Sequence, residues 1–532
     1  MGGVLLLSVI AAGPVHFSGS AGLQGDAEFI SGDTLRTPYS SIAFTLNPSL
    51  TVFGIPITTD LLLSSMESNL RQALNKFRIG LDPLSLLRQR LPLPGFMQFL
   101  PKIDVGTFSP SYSAFTLAGV SVTGLGVEYQ PWQLYLAGTG GRTQRAIEGS
   151  DTTEPAYKRL LYATKFGFGK KAASHYYLTL LYAHDDSNSV RRNWRQPADT
   201  FEVAKPQENY VLGMEFNLSL FEDAFRIESE IAGIELTRDV RLPVQNYNWV
   251  PDWVERLLKP RLSSQYDYAF SVRPVLNVLA TRVFGEVTMV GPGYQSLGAP
   301  SLRNDNLAYR TGIERSFFND ALSASASISR ERDNLMGMKL FTTAFTTLAL
   351  DLNLSFPNLP YAHLSYAPYS QSNESLTDRS HSVSLSTGHS FVTGTLTHSP
   401  ALSASWQEHT ASTPGSDYST LDLNLSHSLG FLFPLTVSAT VGLCRTVETD
   451  SATNTITLGA SPAYTLFDFW TNGLSLTGSF AGSNRRFDIS LNSSFPVRKL
   501  ADANLGIERN IYRGTAGSYN EWRLTGSLTK SW

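Results

Sequence analysis

The sequence predicts an all-β fold, a single transmembrane antiparallel β-barrel of about 24 strands, between roughly 22 and 26, with a short helical insert. Three observations predict it. First, hydrophobicity alternates with period two almost to the end of the chain, which gives each segment one apolar and one polar face. In "LTVSATVGL", Leu435, Val437, Ala439, Val441 and Leu443 share one face; in "LALDLNLSF" the shared face is Leu348, Leu350, Leu352 and Leu354. Second, only 16% of the 532 residues are charged, against roughly 25% in soluble proteins, while aromatics reach 11%. Third, no apolar run approaches the ~20 residues of a membrane helix, and mean hydropathy is -0.10. Two dozen strands with one apolar face each close most simply as a barrel in lipid, where closure pairs every backbone donor and acceptor.

The composition also excludes functions. A formal net charge of -3 provides no global field to recruit nucleic acid. Cys444 is the single cysteine, so an intrachain disulfide and a cysteine-based zinc site are both excluded.

Taken in chain order, residues 1–21 read as a signal peptide, with an apolar core from Val4 to Ala12 and small residues up to a cleavage point near Ala21. The segment lacks a basic start, and a buried first strand is the competing reading. An N-terminal segment spans 22–40, and the barrel spans 41–532. Within it, 66–100 breaks the alternation with helix-like pieces at 66–77 and 83–90, and carries Arg71, Lys76, Arg78, Arg88 and Arg90. It is a candidate cap or lumen plug, or else an ordered loop.

The connectors alternate in length. Short ones at 130–132, 170–173, 220–223, 317–320, 391–394, 430–434 and 466–470 separate longer polar ones, as short periplasmic turns separate external loops in outer-membrane barrels. The short turns collect aromatics: Trp132, Phe221, Phe317, Phe391, Phe431, Phe469 and Trp470, joined by Trp532, form an expected periplasmic girdle. In the long connector at 238–262, "NYNWVPDWV" places Trp249 and Trp253 as a candidate external contact, and "PDWVERLLK" reads as a short helix.

No motif points to a reaction. There is no GxSxG, HExxH or P-loop, and no catalytic residue, metal site or cofactor is expected. His389, His398 and His427 fall on the apolar faces near the short-turn rim, which suits hydrogen bonding at the membrane interface better than convergence on a metal. Charges inside strands, such as Arg226, Glu228 and Glu230, must face the lumen, because an Arg or Lys facing mid-bilayer lipid costs roughly 2–4 kcal/mol. The last strand, "WRLTGSLTKSW", sets Trp522, Leu524, Leu528 and Trp532 on one face and ends on an aromatic, as an assembly signal of outer-membrane barrels would.

Several stretches resemble a functionally uncharacterised family of outer-membrane β-barrel proteins of the Bacteroidota–Chlorobiota group. They are "GIPITTDLLLSS" (54–65), "LNKFRIGLDP" (74–83), "GTFSPSYSAFTLAGVSVTGLGVEYQPWQLYLAGTGGRTQRAI" (106–147), "GYQSLGAPSLRNDN" (293–306) and "RERDNL" (330–335), about 120 residues in all. The resemblance implies a surface barrel and no reaction. Two functional expectations follow from the size of the barrel: a gated or plugged transport conduit for a solute or larger cargo, or a structural barrel that scaffolds a surface complex. The partners expected are the lipid bilayer, the outer-membrane assembly machinery and periplasmic or surface proteins.

Overall fold

The computed structural model describes residues 15–32, 37, 39–52, 55–66, 71–72, 74–83, 100–151, 153–171, 173–195, 202–245, 258–498, 500–515 and 517–532. Each strand pairs antiparallel with the next, and the ring closes where Val15–Gly32 pairs with Gly517–Ser531, from Ser20 opposite Ser531 to Gly32 opposite Tyr519. Of the 28 segments in the sheet, Tyr361–Tyr366 and Tyr369–Ser372 are two parts of one strand, as are Thr377–Gly388 and Phe391–Thr393, so the barrel has 26 strands. A two-stranded hairpin, Trp194–Arg195 with Glu202–Val203, stands outside it. Among the described residues no helix is long and apolar enough to cross a membrane; the strands cross it.

Alternation decides which way each side chain points. On the last strand Trp522, Leu524 and Leu528 are exposed on the outside, while Arg523 turns inward to an ion pair with Asp26, Nη2 to Oδ2 at 2.7 Å. Exposed Leu443 and Val441, Ile456 and Leu458, and Phe487 and Leu491 repeat the outer pattern on neighbouring strands. Tyr162, Tyr266, Tyr268 and Tyr309 mark the outer wall towards the rim of long loops, where a ring with a polar tip fits between lipid and water. A closed antiparallel barrel with such an outer wall is the transmembrane architecture of the Gram-negative outer membrane, and that membrane is where this chain resides.

The inner face differs between two parts of the ring. From Lys158–Gly169 to Phe225–Thr237 the inward positions include Leu161, Leu181, Val211, Ile234 and Leu236, all buried. From Leu435–Glu448 to Trp470–Ala481 they are Thr436, Ser438, Thr440, Thr455, Thr457, Ser475, Thr477 and Ser479. The hydrophobic clusters of the described residues take no member from 344–531. Among the described residues, buried apolar side chains line one side of the lumen and hydroxyls the other.

Two expectations change. The strand count is 26, not about 24, because Val15–Gly32, which runs from the stretch read as leader into the N-terminal segment at 22–40, and Lys76–Leu81, within the stretch read as insert, are barrel strands. The helical insert is also corrected. The described residues of 66–77 form a turn, bends and the start of Lys76–Leu81, because Phe77 and Ile79 alternate with Arg78 and suit a strand that faces lipid on one side and lumen on the other. The piece at 83–90 lies, past Asp82 and Pro83, outside the described residues, and so do the first seven residues of the helix read at 251–259.

Candidate functional site

Two connectors at the long-loop rim fold inward and interlock. Residues 109–121 (SPSYSAFTLAGVS) join Lys102–Phe108 to Val122–Tyr129, and residues 291–305 (GPGYQSLGAPSLRND) join Thr281–Val290 to Asn306–Phe317. Both are too apolar for surface loops, and both find apolar seats on the inner wall. Phe115 and Leu117 bury themselves against a cluster that includes Leu161, Leu181, Ile234 and Leu236 from the wall and Tyr294 and Leu297 from the second connector. The 109–121 turn is closed by the Tyr112 amide donating to the Leu117 carbonyl at 2.9 Å and by the Ser113 and Thr116 hydroxyls 2.6 Å apart.

Polar bonds join the connectors. The Tyr294 hydroxyl donates to the Phe115 carbonyl at 2.9 Å, the Ser296 hydroxyl to the Thr116 carbonyl at 2.7 Å, and the Ala118 amide to the Gly298 carbonyl at 2.9 Å. The Asn209 side chain ties the second connector to the wall, accepting from the Leu297 amide at 2.9 Å and donating to the Glu235 carbonyl at 2.9 Å. Two glycines make the approach possible. A Cβ on Gly298 would meet Leu181 Cδ1 and the Thr116 carbonyl oxygen at 2.5 Å, and one on Gly213 would collide with the Thr116 methyl.

Charges anchor the first connector from below. Lys165, 3% exposed, donates to the Tyr112 carbonyl and to Glu215 Oε2, each at 2.6 Å. Glu230 accepts from the Phe115 amide at 3.0 Å. Beyond Tyr112 a cavity of about 690 Å³ opens, with Arg78, Lys102, Asp104, Glu128 and Tyr135 on its walls. Arg78 Nη2 stands 2.6 Å from Asp104 Oδ1, and Lys102 lies 3.6 Å from Asp104 and 3.8 Å from Glu128. Burial pushes the Tyr112 hydroxyl up to about 12, against its bond with Thr139 and with help from the Glu128 charge, so Tyr112 remains a neutral hydroxyl beside the cavity. Burial likewise raises the Tyr294 hydroxyl, with Glu230 adding to it. The two connectors thus stand inside the barrel wall, with mixed charge beside them.

The residues singled out in the sequence distribute as follows. Lys76 and Arg78 line the cavity wall, while Arg71 pairs with Glu154 at 2.7 Å. Arg88 and Arg90, like Trp249 and Trp253, lie outside the described residues. Trp132, Phe221, Phe317, Phe391, Phe431, Phe469, Trp470 and Trp532 all lie at the rim of short turns. Trp132, Phe221, Phe318 and Phe467 take positive φ there, between 53° and 55°, which bends the chain back within a few residues. Trp532 extends the closing ladder, exchanging two backbone hydrogen bonds with Gly19, and stacks on Phe17 at 5.9 Å. His398 and His427 meet at 3.3 Å on the outer wall, with Phe391 stacked on His398. Among the described residues no group of three or more His, Cys, Asp or Glu is placed to hold a metal.

The inward lock was not singled out from the sequence. Its trace was there: "LLYATKFGF", "YYLTLLYA" and "EIAGIEL" are apolar on both faces, unlike the Ser- and Thr-alternating strands after residue 344.

No protein-family model matches the chain, and no curated protein matches it. Among solved structures, the chain is similar to the Escherichia coli P pilus tip assembly intermediate PapC-PapD-PapK-PapG. That likeness has 12% identity and a TM-score of 0.46 over 96% of this chain, and the chain spans 60% of that protein's length. The P pilus usher PapC translocation pore gives 10% identity and a TM-score of 0.39 over 97% of this chain and 99% of the other. Pseudomonas aeruginosa OpdQ gives 9% and 0.34 over 75% of this chain and 98% of the other.

Proposed function

We propose that the chain is a plugged transport conduit of the outer membrane, for a solute or a larger cargo, with the short-turn rim towards the periplasm and the long loops outside. The observation that carries this reading is the one-sided lock. Residues 109–121 and 291–305 cover the apolar part of the inner wall, while the facing wall of Ser and Thr hydroxyls is left to water. A barrel that served only as a scaffold would have no use for a wetted wall opposite an obstruction. A barrel this wide would leak unless obstructed. No reaction and no cofactor belong to this reading; its partners are lipid, the machinery that assembles outer-membrane barrels and proteins docking at either rim. We group the chain with the Bacteroidota–Chlorobiota barrels it resembles, because the stretches at 106–147 and 293–306 that carry the resemblance contain the two halves of the lock.

Conductance of the purified barrel in planar bilayers tests the proposal. Wild type should be mostly closed, and Phe115→Ala with Leu117→Ala should open severalfold more often or wider. A barrel silent in both forms, isolated each time with stoichiometric partner proteins, would favour the scaffold instead. We also assign assembly to the closing seam: deleting Trp532 should lower the yield of folded, heat-modifiable barrel, and an unchanged yield would remove that role.

A further inference from the structure

The outer wall of the wetted half carries a pattern that conduction does not use. Arg330, Arg332, Arg445, Arg485, Arg509 and Arg513 share their faces with exposed Ile328, Leu443, Phe487 and Ile507, so they point away from the lumen. All six lie within five residues of the long-loop end of their strands. Arg379 joins them beside the outward Glu408. Arg485 and Arg513 stand directly opposite each other in the ladder, and Arg509 follows four residues below Arg513, its Nε donating to Asn520 Oδ1 at 3.1 Å and its guanidinium stacked 4.8 Å over the Trp522 ring with the Nη groups left for an anion. Like charges directly opposite are destabilising in a sheet, and among the described residues Arg485 and Arg513 have no hydrogen-bond or ion-pair partner. At the same height on the plugged half the outward groups include Glu208 and Glu235 under tyrosine hydroxyls, with Tyr182 at 2.7 Å from Glu208 and Tyr266 at 3.1 Å from Glu235.

Guanidinium forks match phosphate oxygens in pairs, and outward Arg near the long-loop rim stands at the height of the lipid headgroups, where its charge is tolerated. Below the cluster, Phe487, Ile489, Leu505 and Trp522 offer an apolar bed for acyl chains. We infer that Arg485, Arg509 and Arg513 bind the headgroup of a lipid with more than one phosphate, in the leaflet at the long-loop rim. The inference rests on the proposed orientation, which makes that leaflet the outer one. Three guanidiniums within one patch exceed what a single phosphate diester neutralises, which selects the multiply phosphorylated headgroup.

The test is native mass spectrometry of the detergent-solubilised full chain titrated with diphosphoryl lipid A, with phosphatidylcholine as the zwitterionic, single-phosphate comparison. Wild type should retain lipid A, and Arg485→Gln with Arg513→Gln should weaken that retention by about tenfold or more. Arg315→Gln with Arg498→Gln, at the short-turn rim, should leave it unchanged. Arg485→Lys with Arg513→Lys, which keeps charge but not the fork, should fall between. Heat-modifiable mobility verifies that each variant folds; should the Gln pair fail to fold, the Lys pair carries the test, and wild-type retention in it overturns the inference. Equal retention in wild type and the Gln pair, or equal loss in the short-turn variant, overturns it as well. Orientation is read separately: Ser416→Cys in a Cys444→Ser background should react with an impermeant thiol reagent on intact cells. Labelling without selective lipid retention refutes the lipid site alone, and absence of labelling refutes the orientation.

Discussion

The two halves of the ring follow one backbone rule and opposite interior rules. The plugged half carries buried apolar inner positions from Lys158–Gly169 to Phe225–Thr237, where two connectors lie on it; Asn209 and Glu230 of the wall and Tyr294 and Ser296 of the second connector satisfy backbone groups of the lock. The open half, from Ala344–Leu354 to the closing strand, has hydroxyls that bond to each other along the wall, as Ser438 does to Ser428 at 3.0 Å and Ser461 to Ser475 at 3.1 Å. The difference teaches that a barrel strand records on its inner face what it will be packed against. An apolar inner residue in a wide barrel needs a cover, and a hydroxyl does not.

The largest effect should come from breaking the ionic anchor in the plugged half. Lys165→Met leaves Glu215 and the Tyr112 carbonyl without their buried cation, a loss of about 3–5 kcal/mol for a buried pair broken on one side. Arg486→Met removes the analogous inward pair of the open half, Arg486 with Asp488 at 2.9 Å, but Arg486 is half exposed, and the cost should stay below about 1 kcal/mol. Unfolding followed by heat-modifiable mobility compares the two directly. Equal losses would mean that the halves do not differ in packing.

Leu117→Ala should cost about 2–5 kcal/mol, the range for emptying a fully buried leucine site. Ser475→Ala on the open wall removes a hydroxyl that water replaces, and should barely register. A Leu117→Ala variant as stable as wild type would mean that the lock is not seated as described.

A smaller effect should follow acidification. Asp305 closes the second connector: it accepts from the amides of Asn334 and Leu335 at 3.0 and 2.8 Å and pairs with Lys339 at 2.6 Å. Burial works to raise its carboxyl, but Lys339 and the two amides outweigh burial and hold it below the usual carboxylate range. A depressed folded-state value means that the stabilisation is complete above the ordinary Asp value near 4 and is lost as pH falls through the folded-state value. Proteolysis of the 333–343 loop should therefore quicken only under strong acidification, and Asp305→Asn should show the faster cleavage already at neutral pH. A rate independent of both changes would separate Asp305 from the loop.

How much of this was legible follows from the same contrast. Period-two alternation carries the barrel, and it is clearest where the inner face is Ser and Thr, so the strands after residue 344 read plainly. It blurs where both faces are apolar, as in "YYLTLLYA", because the inner face there answers to the connectors and not to water. The two uncounted strands were hidden for local reasons. Val15–Gly32 begins inside the stretch that reads as a leader, and the six residues of Lys76–Leu81 sit among charges that resemble a helix face. The lock is harder to read because "SAFTLAGV" and "SLGAPSL" carry no charge and break no pattern as 66–100 does; only the apolar inner wall betrays them.

The smallest structural effect, and the sharpest use of the comparison, belongs to Thr457. It faces the lumen on Ala452–Leu466, opposite Gly442 on one neighbour and Ser479 on the other, with no connector over it among the described residues. If that wall meets water, Thr457→Asp should move stability by no more than about 0.5 kcal/mol, as a surface change does. The new carboxylate should nevertheless act on permeating ions, because it adds charge to a stretch of wall made of Thr455, Thr457, Thr477 and Ser479. In bilayers under a salt gradient, the Phe115→Ala and Leu117→Ala background with Thr457→Asp should shift its reversal potential towards cations relative to that background alone. Val211→Asp, placed on the plugged side, should instead destabilise the barrel by several kcal/mol, because the carboxylate enters the seat of the lock. A destabilised Thr457→Asp, or a tolerated Val211→Asp, would erase the distinction between the two walls. An unshifted reversal potential in an otherwise stable Thr457→Asp barrel would place the ion path away from the hydroxyl wall.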